Sequence, residues 1–174
     1  MKSFQQHCVK GDCLACDTII TLDYGEQKRA DDIRIGDRVC TRNGRATVGD
    51  IIQGTEGDIL KITTEQGSIS LTATHPLLTP KGRITAGEVK VGDTLLTDSG
   101  SAVVASAVVE TYNQRVFSFM LEDSEDTGMF FLANKFWVGD FYAQNSMPRE
   151  NSPGKERAII VEATRLMEEL KRGI

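Results

Sequence analysis

Ile33-Arg-Ile-Gly-Asp-Arg-Val-Cys-Thr-Arg-Asn-Gly44 lines up without a gap on Val89-Lys-Val-Gly-Asp-Thr-Leu-Leu-Thr-Asp-Ser-Gly100. Each copy reads as an apolar approach, a Gly-Asp turn, a short strand and a glycine that closes the next turn. Asn43-Gly44 is a hairpin signal in its own right, because both residue types tolerate positive φ. The match extends upstream, where Thr21 to Ala30 carries a turn glycine at Gly25 and Thr79 to Ala86 carries one at Gly82. Two copies are too few for a solenoid. They predict a closed, two-lobed β body with a pseudo-two-fold core, in which each copy covers the apolar face of the other.

The rest of the central chain agrees. Short β-branched or apolar stretches at Thr18–Leu22, Arg38–Thr41, Ile59–Thr63, Ser68–Thr72, Thr94–Leu96, Ala102–Val109 and Arg115–Leu121 alternate with Gly-, Asn- and Asp-bearing turns. No helical period is sustained from residue 16 to residue 143, so this region is expected to be all-β. The end of the chain differs. Residues 147 to 154 form a polar linker with Pro148 and Pro153, and Ser152-Pro153 offers an N-cap followed by proline at the first helical position. Ile159, Ala163, Leu166 and Leu170 then fall on one stripe, which predicts an amphipathic helix over residues 153–171.

Composition narrows the function classes. The 174 residues are 40% hydrophobic and 26% charged, ordinary values for a soluble globular chain. A net charge of −5 without clustered Lys or Arg lacks the electrostatic footprint for nucleic acid. No apolar run reaches the ~20 residues of a membrane span, and Met1 to Lys10 has no apolar signal core. The expectation is a cytoplasmic monomer that binds neither nucleic acid nor membrane. Three of the four cysteines, Cys8, Cys13 and Cys16, lie close together near the N-terminus, which is not the spread of a disulfide scaffold. Such a cluster points to a reactive thiol, a metal site or a redox pair. The fourth, Cys40, sits at an apolar position of the repeat matching Leu96 and is expected to be a buried core thiol.

The chemistry-bearing residues are Cys13-Leu-Ala-Cys-Asp-Thr18, followed by Gly25 and Ile35-Gly-Asp37, and then Thr72-Ala-Thr-His75-Pro76-Leu. This combination resembles the Hedgehog/intein (Hint) family, whose domains open on a cysteine followed by Asp-Thr and carry a Thr-x-x-His block downstream. Arg115-Val-Phe through Phe131-Leu-Ala-Asn134 to Val138 is similar to the family's C-terminal blocks. The resemblance covers roughly residues 13 to 145. It implies a horseshoe-like Hint β fold, with residues 1–12 and 146–174 as flanking segments.

It also implies self-processing without a cofactor, the substrate being the chain's own flanking polypeptide. Cys13 would attack the carbonyl of Asp12, turning that amide into a thioester, while His75 protonates the departing nitrogen and Thr72 hydrogen-bonds the junction. Asp12 adds a carboxylate able to attack the thioester through a five-membered ring.

The C-terminal end departs from the family. Splicing needs an Asn that cyclises, a preceding His and a Cys, Ser or Thr just after. One register puts Val138-Gly139-Asp140-Phe141 there, without the Asn, the His or the nucleophile; Ser118 also stands where an Asp is frequent, and Met129 where a His is common. A second register, Gln144-Asn145-Ser146, restores Asn and a hydroxyl but replaces the His by Gln. The expectation is N-terminal cleavage with splicing absent or inefficient. The alternatives are complete splicing ending at Asn145-Ser146, a zinc module built from His7, Cys8, Cys13 and Cys16, a Cys13–Cys16 disulfide that locks the nucleophile, and an inert β scaffold.

Overall fold

The computed structural model describes residues 4–5, 13–124 and 128–145, with the backbone alone at 4–5 and 144–145. The expected helix over 153–171 lies outside the described residues. The first half of the chain forms β1 (Phe4–Gln5), β2 (Leu14–Ala15), β3 (Ile19–Thr21), β4 (Gln27–Arg29), β5 (Arg38–Thr41), β6 (Gly44–Thr64) and β7 (Gly67–Leu71). The second half forms β8 (Pro76–Thr79), β9 (Gly82–Thr85), β10 (Thr94–Thr97), β11 (Gly100–Leu121), β12 (Phe130–Ala133), β13 (Phe136–Gly139) and the short helix α1 (Phe141–Asn145).

The repeat seen in the sequence recurs bond for bond. In the first copy Arg38–Thr41 pair with Thr47–Gly44; in the second, Thr94–Thr97 pair with Val103–Gly100. The Gly-Asp turns match as well. Gly36 N donates to Val48 O and Gly92 N to Val104 O, both at 2.9 Å, while Val48 N and Val104 N return bonds of 2.8 Å to Asp37 O and Asp93 O. The Asp37 and Asp93 carboxylates accept from Arg34 N and Lys90 N, each at 2.9 Å. Gly36 and Gly92 sit at φ 99° and 96°, a conformation that excludes most side chains and makes this turn glycine-dependent.

The hairpin β12–β13 joins the copies. Phe131 of β12 pairs with Thr41 of the first copy, and Phe136 of β13 pairs with Thr97 of the second. Ala133 meets Ile20, and Val138 meets Leu77. Its turn, Asn134-Lys135, has positive φ at both residues (51° and 75°), the geometry that lets a two-residue hairpin follow strand twist. The core beneath contains Ile20, Val39, Ile62, Leu71, Leu77, Leu95, Phe119, Phe131 and Phe136, all nearly inaccessible.

The longest elements are β6 and β11, of 21 and 22 residues, which run antiparallel from Val48–Leu121 to Thr64–Val104 with register shifts along the way. The sequence shows them only as separate shorter strands. Glycines and acidic residues interrupt their apolar alternation because much of each arm is exposed. One irregularity, between Thr111 and Gln114, contains Asn113 at φ 54°, a β-bulge. The helix α1 interrupts the all-β reading at the end of the domain, and its five residues are too few to show a helical period.

Candidate functional site

Cys13 is wholly buried at the head of β2. That strand is short but held on both sides: Leu14 pairs with Leu71 of β7 and with Phe117 of β11. Thr72, the residue after β7, clasps Cys13. The Cys13 N–H donates to Thr72 Oγ1 at 2.9 Å, Thr72 N donates to Cys13 O at 3.0 Å, and the Thr72 hydroxyl lies 3.2 Å from the same carbonyl. The threonine therefore holds the nitrogen side of the Asp12–Cys13 junction.

After Thr72 the chain turns, with His75 N donating to Thr72 O at 3.1 Å. This brings His75 to the start of β8 with 1% of its surface exposed. Its Nε2 lies 2.8 Å from Gly139 O. A carbonyl only accepts, so in the neutral ring this contact assigns the proton to Nε2 and gives Nδ1 the basic lone pair. Cys13, Thr72 and His75 are thus linked by consecutive hydrogen bonds, and His75 ties that group to the end of β13.

At that end the residues brace the fold. Asp140 is buried, and its carboxylate takes four donors. Met129 N and Ala143 N reach Oδ1 at 3.1 and 3.0 Å; Leu121 N reaches Oδ2 at 3.2 Å, and the Ser124 hydroxyl binds the same oxygen. The Ala143 bond makes Asp140 the N-cap of α1. Burial pushes its carboxyl above the ordinary carboxylate range, and hydrogen bonds from Ser124, Met129, Ala143 and Leu121 offset only part of that rise.

Gly139 is equally constrained. A Cβ there would lie 2.7 Å from Ala143 Cβ and about 3.0 Å from Pro76 Cβ. Helix α1 thus occupies the space that a histidine at this position would need. Asn145 ends α1, and Ser146 and Asp12 lie outside the described residues.

The cysteines separate into two classes. Cys13 is joined in a disulfide, whereas Cys16 and Cys40 are free thiols. The Cys13–Cys16 pairing considered from sequence is not formed. Cys16 leaves β2 at a turn and is drawn toward β11: its N–H donates to Tyr112 Oη at 2.8 Å, and its Sγ lies 3.3 Å from Tyr112 Oη and 3.6 Å from Gln114 Oε1.

Tyr112, which the sequence reading did not single out, also donates to Arg115 O at 2.8 Å and packs against the cluster of Cys13, Ala15, Ile59 and Val116. Burial raises its phenol well above the usual tyrosine value, and the bond to Cys16 adds to the rise. No local motif marks it, since it meets Cys16 only across the sheet.

Cys40 is half-buried rather than fully buried, packed beside Leu96 against Phe130, Leu132 and Trp137. Ser118 is buried, and its hydroxyl has no hydrogen-bond partner among the described residues. None of the described residues form a group of three or more His, Cys, Asp or Glu placed to hold a metal ion. His7 and Cys8, half of the zinc alternative, lie outside them. No described helix is long and apolar enough to cross a membrane. A surface cleft of about 600 Å³, lined by residues of the second copy such as Lys81, Arg83 and Glu88, includes none of Cys13, Thr72 or His75.

Solved structures share this architecture. The gp41-1 intein superposes with a TM-score of 0.63 at 20% identity, over 72% of this chain and 96% of that one. The fold is the Hint fold of the inteins. The bacterial intein-like domain from Clostridium thermocellum matches this Hint fold with a TM-score of 0.63 at 22% identity, covering 74% of this chain and 98% of its own. A DnaB intein from Synechocystis sp. PCC 6803 gives 0.62 at 19%, over 74% and 97%. No family model matches the sequence, and no curated protein matches it either.

Proposed function

We propose that the chain is a self-processing domain that forms a thioester at Asp12–Cys13 and cleaves there, with splicing absent or inefficient. Residues 13–145 form the working domain, and its substrate is the polypeptide that flanks it. The observation that carries this reading is the clasp of Thr72 on the buried Cys13 amide, with His75 one turn further on.

In the reduced protein the Cys13 thiol gives its proton to the basic Nδ1 of His75, and the thiolate attacks the Asp12 carbonyl carbon. The C–S bond forms first. The C–N bond then breaks as His75 delivers a proton from Nδ1 to the leaving nitrogen, giving a thioester and a free Cys13 amine. Thr72 Oγ1 accepts from that nitrogen beforehand and fixes its direction of departure. Holding nucleophile and carbonyl in one chain removes several kcal/mol of barrier. The Asp12 carboxylate then displaces the thiolate through a five-membered anhydride, which water opens.

The C-terminal step lacks equivalent support. In the register ending at Asp140, both carboxyl oxygens cap and brace the fold, and Gly139 supplies no proton relay. In the register ending at Asn145, Gln144 cannot titrate. Missing general catalysis costs ~10² to 10⁴ in rate.

The test is to reduce the protein with a phosphine, add hydroxylamine and follow release of Met1–Asp12 by intact mass. Cys13→Ala should abolish release, and His75→Ala should slow it ~10²-fold or more while leaving the fold intact. Undiminished release from Cys13→Ala would overturn the proposal.

A further inference from the structure

Gly139 does more than make room for α1. Its carbonyl accepts the His75 Nε2–H at 2.8 Å, and across the same peptide bond Asp140 N donates to Met129 O at 2.9 Å. The peptide plane between Gly139 and Asp140 is thereby held from both edges, and Gly139 itself pairs with Phe130 at the end of β13. Side-chain space is closed as well. A Cβ on Gly139 would meet Ala143 Cβ at 2.7 Å, Pro76 Cβ at 3.0 Å and Pro76 Cγ at 3.1 Å. Ala143 has little freedom to retreat, because its N–H is tied to Asp140 Oδ1 at 3.0 Å and Gly128 abuts its backbone with no room for a Cβ. Glycine is the residue that lets β13 deliver this carbonyl to His75.

We propose that Gly139 is a positioning residue for the reaction at Asp12–Cys13, setting the His75 ring through its carbonyl with Ala143 and Pro76 as the buttress. This rests on the reading of His75 as the proton carrier of that reaction.

His75 takes the Cys13 proton on Nδ1 and returns a proton from the same atom to the leaving nitrogen. Both transfers need Nδ1 to be basic at the start, and a neutral imidazole can carry its one proton on either nitrogen. An acceptor fixed beside Nε2 selects the tautomer in which Nδ1 is basic. The contact also strengthens during the reaction. Once Nδ1 has gained a proton the ring is an imidazolium, and its Nε2–H bond to Gly139 O becomes charge-assisted. The carbonyl therefore favours the charged ring that forms midway over the neutral ring at the start. The His75 backbone is itself pinned, its N–H donating to Thr72 O at 3.1 Å and its carbonyl accepting from Ala86 N at 2.9 Å. A displaced Gly139 carbonyl is thus not simply followed by the ring.

Hydroxylamine-dependent release of Met1–Asp12 from phosphine-reduced protein tests this. Gly139→Ala should slow release ~10-fold or more, since misplacing a catalytic group by about 1 Å costs up to ~10²-fold. The double variant Gly139→Ala/Ala143→Gly, which removes the nearest obstruction, should recover most of the lost rate. In a His75→Ala background Gly139→Ala should slow release no further, whereas a merely structural role would slow both backgrounds alike. The ring gives a readout that needs no turnover. Long-range nitrogen–proton correlation spectra of Cys13→Ala protein should show His75 as the Nε2–H tautomer, with His7→Gln assigning the second histidine, and Gly139→Ala should shift the population toward Nδ1–H. Parental release from folded Gly139→Ala, equal slowing in the His75→Ala background, or an Nδ1–H tautomer in the Cys13→Ala protein overturns the proposal. If Gly139→Ala does not fold, that tautomer decides alone. A reduced parent that releases nothing fails the assignment of function and takes this proposal with it; parental release that Gly139→Ala leaves unchanged sinks this proposal alone.

Discussion

Asp140 shows how one side chain can stand at a catalytic position in the sequence and also brace the fold. Its type and place were legible, since Val138-Gly139-Asp140 aligns with the end of an intein. Its capping role was not, because α1 is too short to announce itself and three of the four donors come from backbone N–H groups. Cys13, Thr72 and His75 were easier to single out as candidates, because they stand in the motifs Cys13-Leu-Ala-Cys-Asp-Thr18 and Thr72-Ala-Thr-His75 and because cysteine and histidine are scarce in the chain. The raised Asp140 carboxyl has a signed consequence. The folded protein holds that proton more tightly than the unfolded chain, so the stability it contributes is complete below the ordinary value of ~3.9 and is lost as pH rises through the raised one. Asp140→Asn removes the titration but turns an amide N–H₂ toward backbone donors, at a cost of about 2 kcal/mol. Urea midpoints measured from about pH 3 to about pH 8 should show the parent more stable throughout, with its advantage narrowing as pH rises. An advantage that widens would mean that the four donors outweigh burial.

At the scale of elements, the repeat was readable because both copies need a glycine at the same turn and an aspartate beside it. The long arms β6 and β11 were not, because a strand exposed along much of its length has no clean apolar alternation. Two predictions belong here. Lys135 is exposed and holds φ 75° in the β12–β13 turn, a conformation that costs a non-glycine residue roughly 1 kcal/mol. Lys135→Gly should therefore stabilise the fold by up to about that amount, read as a higher denaturation midpoint. An unchanged or lower midpoint would mean that entropy gained by the unfolded chain cancels the relief. Tyr112 joins β11 to the end of β2, since one hydroxyl serves both Cys16 N and Arg115 O. Tyr112→Phe leaves those groups without it and should cost about 1–2 kcal/mol in denaturant titration. It should also slow hydroxylamine-dependent release, because the strand that presents Cys13 then loses its anchor at Cys16 and keeps only its ladder and the Thr72 clasp. Release at the parental rate would confine Tyr112 to stability.

Across the whole molecule the two ends of the domain are built to opposite requirements. At the entrance, Cys13, the proposed nucleophile, sits at the head of a clamped strand, with Thr72 and His75 in hydrogen-bond succession. At the exit, the chain runs without a break from β13 into α1, and Ala143 is packed so closely over Gly139 that a side chain there would meet it at 2.7 Å. The histidine that C-terminal cyclisation lacks therefore cannot be added without displacing the helix. With distinguishable reporter proteins joined ahead of Met1 and behind Ile174, reduced protein should yield mainly the free N-terminal reporter and the domain still attached to its C-terminal partner. Gly139→His should not convert this into splicing; it should lower stability by about 1–3 kcal/mol through overpacking against Ala143 and Pro76. Product masses decide the matter. A dominant ligated product lacking residues 13–145 would show that Asn145-Ser146 is a working junction and that α1 opens to expose it, which would defeat the assignment of N-terminal cleavage as the principal reaction.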